Sequence, residues 1–312
     1  MTGTADYEPI PHGPTARPSI AVDLGGTHVR AALVADDGSL SRRIRRQTPR
    51  RDRDPGFLID LMAEAAGELG AGELSGAVIG VPGVIDHRAE RLLHAPNLPS
   101  TWLPQLTEDW LAQRIGTPVS LANDADLAAV GETYFGAGRD ASDVVYVTIS
   151  TGVGAGIVLN RRLVRGRFSG GEIGHTIIDR ALAATGGDGT VEGLGSGTAL
   201  SRACTERGIE ATGAELADLV RSGHPAATEV WNNAVEAVGL GIVNLGWLVS
   251  PELIVVGGGV GMNEDLVVPV LERVFADHGP ATARTAIRSA ALGDDAGLVG
   301  AAAWWEAVGR RD

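Results

Sequence analysis

Five short segments of this 312-residue chain carry groups that handle phosphates and hydroxyls. Asp23-Leu24-Gly25-Gly26-Thr27 combines a carboxylate, two glycines that let a ligand approach main-chain amides, and a hydroxyl. Thr151-Gly152-Val153-Gly154-Ala155-Gly156 repeats the glycine pattern without the carboxylate. Gly257-Gly258-Gly259 lies between an apolar run and a helical pattern, where an anion or an adenosine can sit at a helix start. Asn123-Asp124-Ala125-Asp126 sets carboxylates at another helix start, where they serve as caps or as an acceptor for a hydroxyl proton in phosphoryl transfer. Gly171-Glu172-Ile173-Gly174-His175 pairs an acid with an imidazole, and leaves open a sugar ligand, a metal ligand and an ordinary core histidine.

These segments need elements to hold them. Ser19 to Leu24 and His28 to Leu33 read as paired strands around the first glycine loop, with an Asp-Gly turn at Asp37-Gly38. Val144 to Leu159 repeats strand, glycine loop and strand, so the chain looks internally duplicated, with two facing phosphate-binding hairpins. The second loop is not a dinucleotide fingerprint, because Gly156 runs into Ile157-Val158-Leu159 rather than opening a helix. Helical spacing predicts helices over Gly56 to Gly70, Asp126 to Tyr134, Gly197 to Gly208, Gly213 to Arg221, Ala226 to Leu248 and Glu264 to Ala276. Short buried strands are predicted at Ala77 to Val81, Pro118 to Leu121 and Leu253 to Val256. Strands alternating with helices argue for an α/β fold with covered sheets. The length favours two lobes: residues 19–121 with 298–312 as a small lobe, 122–297 as a large one, and 1–18 as a flexible tail.

Composition removes several function classes. The chain has no lysine, and arginine stays protonated, which excludes Schiff-base chemistry, Walker-type phosphate loops and the protein-kinase site. A bound nucleotide must then be held by backbone amides, hydroxyls and a metal ion. One cysteine, Cys204, rules out an intrachain disulfide or a multi-thiolate zinc site, and reads as a small buried hydrophobe. Net charge of −13 argues against nucleic acid as a partner. Arg42, Arg43, Arg45, Arg46, Arg50, Arg51 and Arg53 are a local exception that reads as a solvated edge strand and loop rather than a polyanion site. No membrane span and no signal peptide are expected, which places the protein in the cytoplasm. Asp23, where its strand ends, can hold Mg²⁺ directly or through water; the bland alternative is a turn.

Taken in order, these segments, together with Ala95-Pro96-Asn97-Leu98-Pro99 before Trp102, resemble the ROK family of bacterial sugar kinases and sugar-responsive repressors, especially its glucokinase-like members. The resemblance runs from Ser19 to Trp305 and implies an actin-like ATPase (ribonuclease H-like) fold with ATP and sugar bound between two lobes. It implies that Asp124 is the base for the sugar hydroxyl. Asn97, Asn123, Glu172, His175 and Glu192 would line the sugar, while Asp23, Gly25, Gly26, Thr27, Thr151, Gly152, Gly154, Gly257, Gly258 and Gly259 hold ATP with Mg²⁺. A homodimer working in carbohydrate metabolism is implied too. Most members carry three cysteines that bind zinc in the segment matching Ala183 to Glu192; all three are absent here, so zinc is not expected and the hold on residues 179–191 is in question. The implied activity is phosphorylation of glucose to glucose 6-phosphate. Mannose, fructose, N-acetylglucosamine or N-acetylmannosamine are alternative acceptors, and a non-catalytic sugar-binding regulator is the rival from another class.

Overall fold

Two runs of buried aliphatic residues on either side of Gly25-Gly26-Thr27 become strands β1 (Ser19–Leu24) and β2 (His28–Val34), paired antiparallel from Ser19↔Val34 to Leu24↔Val29. The computed structural model describes residues 17–49, 54–281 and 285–309. Gly38 takes φ +79° and donates to the carbonyl of Ala35 at 3.0 Å, closing the expected turn into β3 (Leu40–Gln47). Helix α1 (Phe57–Ala66) then buries Leu58, Leu61, Met62 and Ala65 against this sheet. Next come β4 (Gly76–Val81), the hairpin β5 (Val84–Asp86) and β6 (Arg91–His94), helix α2 (Glu108–Ile115) and β7 (Val119–Asn123). β4 runs parallel to β1, and β7 parallel to β4, giving the order β3-β2-β1-β4-β7.

Helix α3 (Asp124–Tyr134) leads into β8 (Val144–Ile149), β9 (Val153–Leu159) and β10 (Arg162–Leu163). Five helices follow: α4 (Arg180–Ala184), α5 (Val191–Gly195), α6 (Gly197–Glu206), α7 (Gly213–Arg221) and the long α8 (Pro225–Val249). The chain ends with β11 (Leu253–Gly257), α9 (Gly258–Gly261), α10 (Glu264–His278), β12 (Ala286–Ser289) and α11 (Ala296–Val308). This second sheet has the order β10-β9-β8-β11-β12, with β8 antiparallel to β9 and parallel to β11. Strand for strand it repeats the first sheet, so the duplication expected from the two hairpins extends to the whole topology.

Each sheet has a core on its outer face, one under α1 and α2 and one under α5 to α8 and α10. A third core lies between the sheets, where α3 and α11 cross and cover Ala21, Ala32, Val34 and Val78 of the first sheet and Val144, Tyr146, Val158 and Val255 of the second. The crossing is close. A methyl group at Gly131 of α3 would collide with the carbonyl oxygen of Ala296, and one at Gly300 of α11 with the carbonyl of Leu127. No helix among the described residues is long and apolar enough to cross a membrane.

β3 is an edge strand, and three of its four arginines are engaged by neighbouring groups. Arg43 bonds Asp295 at 2.6 Å, Arg46 bonds Glu64 at 2.5 Å, and Arg42 donates to the carbonyl of Ala66 at 3.1 Å. This fits the reading of a solvated edge. Arg50, Arg51 and Arg53 lie outside the described residues. Cys204 is buried, and burial pushes its thiol pKa up.

Candidate active site

β7 ends at Asn123 and α3 begins at Asp124, within electrostatic reach of Asp23 from the first sheet and of Glu172 beyond the second, and these residues mark the candidate crevice. Asn123 is the cap: its Oδ1 accepts the amide of Ala125 at 2.9 Å and, more weakly, that of Asp126 at 3.4 Å. Its Nδ2 donates to the carbonyl of Gly83 at 3.3 Å, which fixes the amide plane. Asp124 is therefore the first helical residue, two positions before the expected start. Its Oδ1 also accepts from Ala125 at 2.9 Å. The side chain is open to the crevice, yet protein crowds it on most sides. That loss of hydration, with the negative charges of Asp23 and Glu172, raises its pKa to about 6, against the pull of the Ala125 amide.

Asp126, two residues further into α3, is 0% exposed, and neither carboxylate oxygen has a hydrogen-bond partner. Burial lifts its pKa to about 7. The Ser169 hydroxyl and the Arg165 guanidinium oppose that shift from nearby, but the Ser169 hydroxyl does not complete a bond of normal geometry.

The first glycine loop is tightly held. Gly25 donates to the carbonyl of His28 at 3.0 Å, Thr48 Oγ1 donates to the carbonyl of Gly25 at 2.6 Å, and Thr48 N donates to Thr27 at 2.9 Å. A Cβ on Gly26 would lie 2.7 Å from the carbonyl oxygen of Asn97 and 2.8 Å from its Cβ, so the phosphate-type loop and the expected sugar residue share a wall. Thr27 and Asn97 are both exposed. Asp23 is more committed than its sequence position suggested, since its Oδ2 accepts Arg30 Nε at 2.9 Å and Nη2 at 2.6 Å. The strand register makes these two direct cross-strand partners, a signal available by counting outward from the glycine turn. Arg30 donates onward to the carbonyl of Asp294 at 2.7 Å.

The second glycine segment is narrower than expected. The turn is Ser150 to Gly152, whereas Gly154 and Gly156 lie inside β9. Gly156 has a packing reason: its Cβ would meet Ala129 Cβ and the carbonyl of Ala125, both at 2.6 Å, so it lets β9 press against α3. Thr151 is exposed and its carbonyl accepts Thr198 Oγ1 at 2.8 Å. Glu192 reaches this turn as well, its Oε2 accepting the amide of Val153 at 2.9 Å. In the third segment Gly257 closes β11, Gly258 takes φ +83°, and Gly259 faces open space.

Glu172 is half-exposed and His175 is 74% exposed, with Nε2 3.8 Å from Glu172 Oε2. The core-histidine alternative is thereby removed. Sequence reasoning missed Glu132, a fully buried acid that accepts the amides of Ala137 at 2.8 Å, Ala291 at 3.1 Å and Leu292 at 2.8 Å, tying α3 to the approach of α11. An isolated Glu inside an apolar helix was its only trace in the sequence.

A sequence model of the ROK family matches residues 19–308. The chain belongs to the ROK family. It is 30% identical over 311 residues to a glucokinase of Streptomyces coelicolor, covering 91% of this chain and 96% of that one. It is 32% identical over 291 residues to an N-acetylmannosamine kinase of Haemophilus influenzae, covering 91% and 94%. A solved ROK family glucokinase from Streptomyces griseus in complex with glucose and AMPPNP superposes with a TM-score of 0.75 at 30% identity, covering 92% of this chain and 98% of that chain. The fold is that of the actin-like ATPases, with the duplicated sheets on either side of the crevice.

The ROK zinc segment has a different support here. Ile178 and Asp179 both donate to the carbonyl of Gly189, at 2.9 and 3.0 Å. Asp179 Oδ1 caps α4 through Leu182 at 2.9 Å, and Asp188 Oδ1 accepts Thr190 Oγ1 at 2.6 Å, a bond that lowers the Asp188 pKa. Val191 closes the loop onto the carbonyl of Thr176 at 3.0 Å. With Ala183, Thr185 and Thr190 in place of the three thiolates, this donor set does not fit zinc. The residues do fit magnesium: both Arg30 bonds fall on Asp23 Oδ2, so Oδ1 retains lone pairs for an ion or its water, the arrangement expected of a metal carried mainly by phosphate oxygens.

Proposed function

We propose that this ROK protein is an ATP-dependent hexose kinase that converts glucose to glucose 6-phosphate, with Asp124 as the general base. The observation that carries the reading is Asp124 itself: a carboxylate with a pKa near 6, at the head of α3, between two glycine turns and the Glu172 wall. Near neutral pH such a group is ionised and still basic enough to take a proton. Asn97, Asn123, Glu172, His175 and Glu192 orient the sugar hydroxyls, and the amides of Gly26, Thr27, Thr151 and Gly152 face the phosphates, while those of Gly25 and Ser150 close their own turns. Gly257 to Gly259 accept the nucleoside. The sugar oxygen attacks the γ-phosphorus, the bond from that phosphorus to the β–γ bridging oxygen breaks, ADP departs, and the hydroxyl proton passes to Asp124. Mg²⁺, when bound, neutralises phosphate charge, and Asp23 would hold it, most simply through water.

We assign the described residues of 19–121 with 298–309 to one lobe and those of 122–297 to the other, a division supported for the two sheets by their separate outer cores, while residues 310–312 lie outside the described residues. A homodimer is supported by Leu240, Trp247 and Leu248, which leave an exposed apolar stripe on α8. The cytoplasm, where ATP is made, is the compartment this reading implies. N-acetylmannosamine is the second reading for the acceptor, favoured by the similarity to a kinase for that sugar. The test is ADP release with Mg²⁺-ATP against glucose, mannose, fructose, N-acetylglucosamine and N-acetylmannosamine. Stimulation by glucose above the others supports the proposal; stimulation by another sugar reassigns the acceptor, and none by any sugar overturns the kinase reading.

A further inference from the structure

After β10 the chain leaves the second sheet, crosses to the first lobe and returns. Residues 164–170 form a small loop closed by the bridge Arg165↔Ser169 and by Gly166 donating to the carbonyl of Phe168 at 3.0 Å. Its tip is fastened to the β5–β6 hairpin. Arg167 donates to Asp86 Oδ2 twice, from Nε at 3.1 Å and from Nη2 at 2.8 Å, and His87 N donates back to the carbonyl of Arg167 at 3.0 Å. Asp86 is 2% exposed, and its Oδ1 accepts the amides of Arg88 at 3.0 Å and Ala89 at 3.1 Å, so the carboxylate is fully used. Lower on the loop, Arg165 sits within electrostatic reach of both Asp126 on α3 and Glu108 on α2.

Both sides of this fastening lead into the crevice. The loop continues through Gly170 and Gly171 to Glu172 and His175. The hairpin starts beyond Gly83, whose carbonyl holds Asn123, and ends three residues before Asn97, which packs on Gly26. One ion pair therefore ties the Glu172 wall, which follows the second sheet, to the wall made by Asn97 and by Asn123 at the end of β7 in the first sheet. We infer that Arg167 is a positioning residue for the acceptor sugar, acting with Asp86 as an interlobe strap that holds the two walls in register before the sugar arrives. The inference rests on the sugar-kinase reading of the crevice. Preformed walls spare the sugar the cost of ordering them, and an unstrapped site binds in proportion to the fraction of molecules that happen to be ordered.

Arg167→Ala and Asp86→Asn, alone and combined, test it in the full chain. Arg167 lies largely in solvent, and Asn at position 86 keeps an acceptor for the Arg88 and Ala89 amides. Charge-assisted hydrogen bonds of this kind set the scale. With glucose as probe, Arg167→Ala is expected to raise the sugar KM about tenfold or more, with kcat and the KM for ATP within about threefold of the parent. The double variant should be no worse than the more affected single variant, and Arg167→Lys should recover part of the loss. Hydrogen exchange, with no substrate present, should quicken about tenfold at the His87 amide and across residues 171–175. An unchanged sugar KM in Arg167→Ala, equal rises in both KM values, or additive single variants would each overturn the strap. A parent without sugar-stimulated turnover defeats the kinase reading instead. In that case exchange still decides: unchanged protection at His87 in Arg167→Ala shows that the ion pair holds nothing together.

Discussion

Replacing Asp124 by Asn removes a negative charge and a proton acceptor while keeping the Oδ1 that receives the Ala125 amide, so the head of α3 stays formed. Loss of a general base costs about 10²- to 10⁴-fold in rate, or about 3 to 5 kcal/mol of barrier. The structure says how that loss varies with pH. A folded pKa of about 6 leaves Asp124 ~99% ionised at pH 8 and ~10% ionised at pH 5. The parent enzyme should therefore gain about tenfold in kcat/KM between pH 5 and pH 7, whereas the variant has no such limb. The gap between them at pH 8 should shrink about tenfold at pH 5. Coupled ADP-release assays across that range, at saturating Mg²⁺-ATP and varied sugar, read both quantities. A gap below tenfold at pH 8, or one that is constant with pH, would show that Asp124 does not take the proton.

Gly26→Ala should raise the KM for both ATP and sugar, because its methyl would displace Asn97 as well as the glycine loop; overpacking of this kind costs about 1–3 kcal/mol and is checked by steady-state kinetics. Glu132→Ala strips three main-chain amides of their buried acceptor and should destabilise the fold by about 2–4 kcal/mol in urea unfolding. For Asp126 the folded pKa of about 7 lies above the unfolded value of 3.8, so the folded state holds a proton that the unfolded state releases. Stability is then lost as pH rises through that window, and Asp126→Asn should melt higher than the parent at pH 8, with a smaller difference between pH 5 and pH 8.

The hairpins β1–β2 and β8–β9 were legible because apolar runs flank glycine turns. Helices α6, α7, α8 and α10 fell within a few residues of their helical spacing for the same kind of reason, a one-sided apolar stripe. Helix α11 has no such stripe: Ala296 to Val308 is apolar nearly all round because it lies between two sheets, so periodicity gave no signal. β5, β6, β10 and β12 are two to four residues long, too short to show alternation. In the site, the glycines and Asn123-Asp124 announced themselves by type and spacing. Gly154 and Gly156 were read as loop from their glycine spacing, and at Gly156 a strand that must lie against a helix backbone needs the same small residue as a turn. The Asp86 and Arg167 pair is 81 residues apart in sequence, with no local pattern to reveal it.

The crossing of α3 and α11 sets how far the base can travel. At Gly131 and Gly300 backbone lies on backbone, with no side chains between that could rearrange and let one helix glide over the other. Relative rotation of the sheets would have to turn about that point, as a lever turns about its fulcrum. Asp124 lies seven residues from Gly131, about 10 Å along the helix axis. A rotation of about 10° would then carry the carboxylate less than about 2 Å, by the same helical rise. The reacting group rides on the short arm, so any rotation that the Arg167 and Asp86 strap leaves to the sheets would hardly change the aim of the proton acceptor.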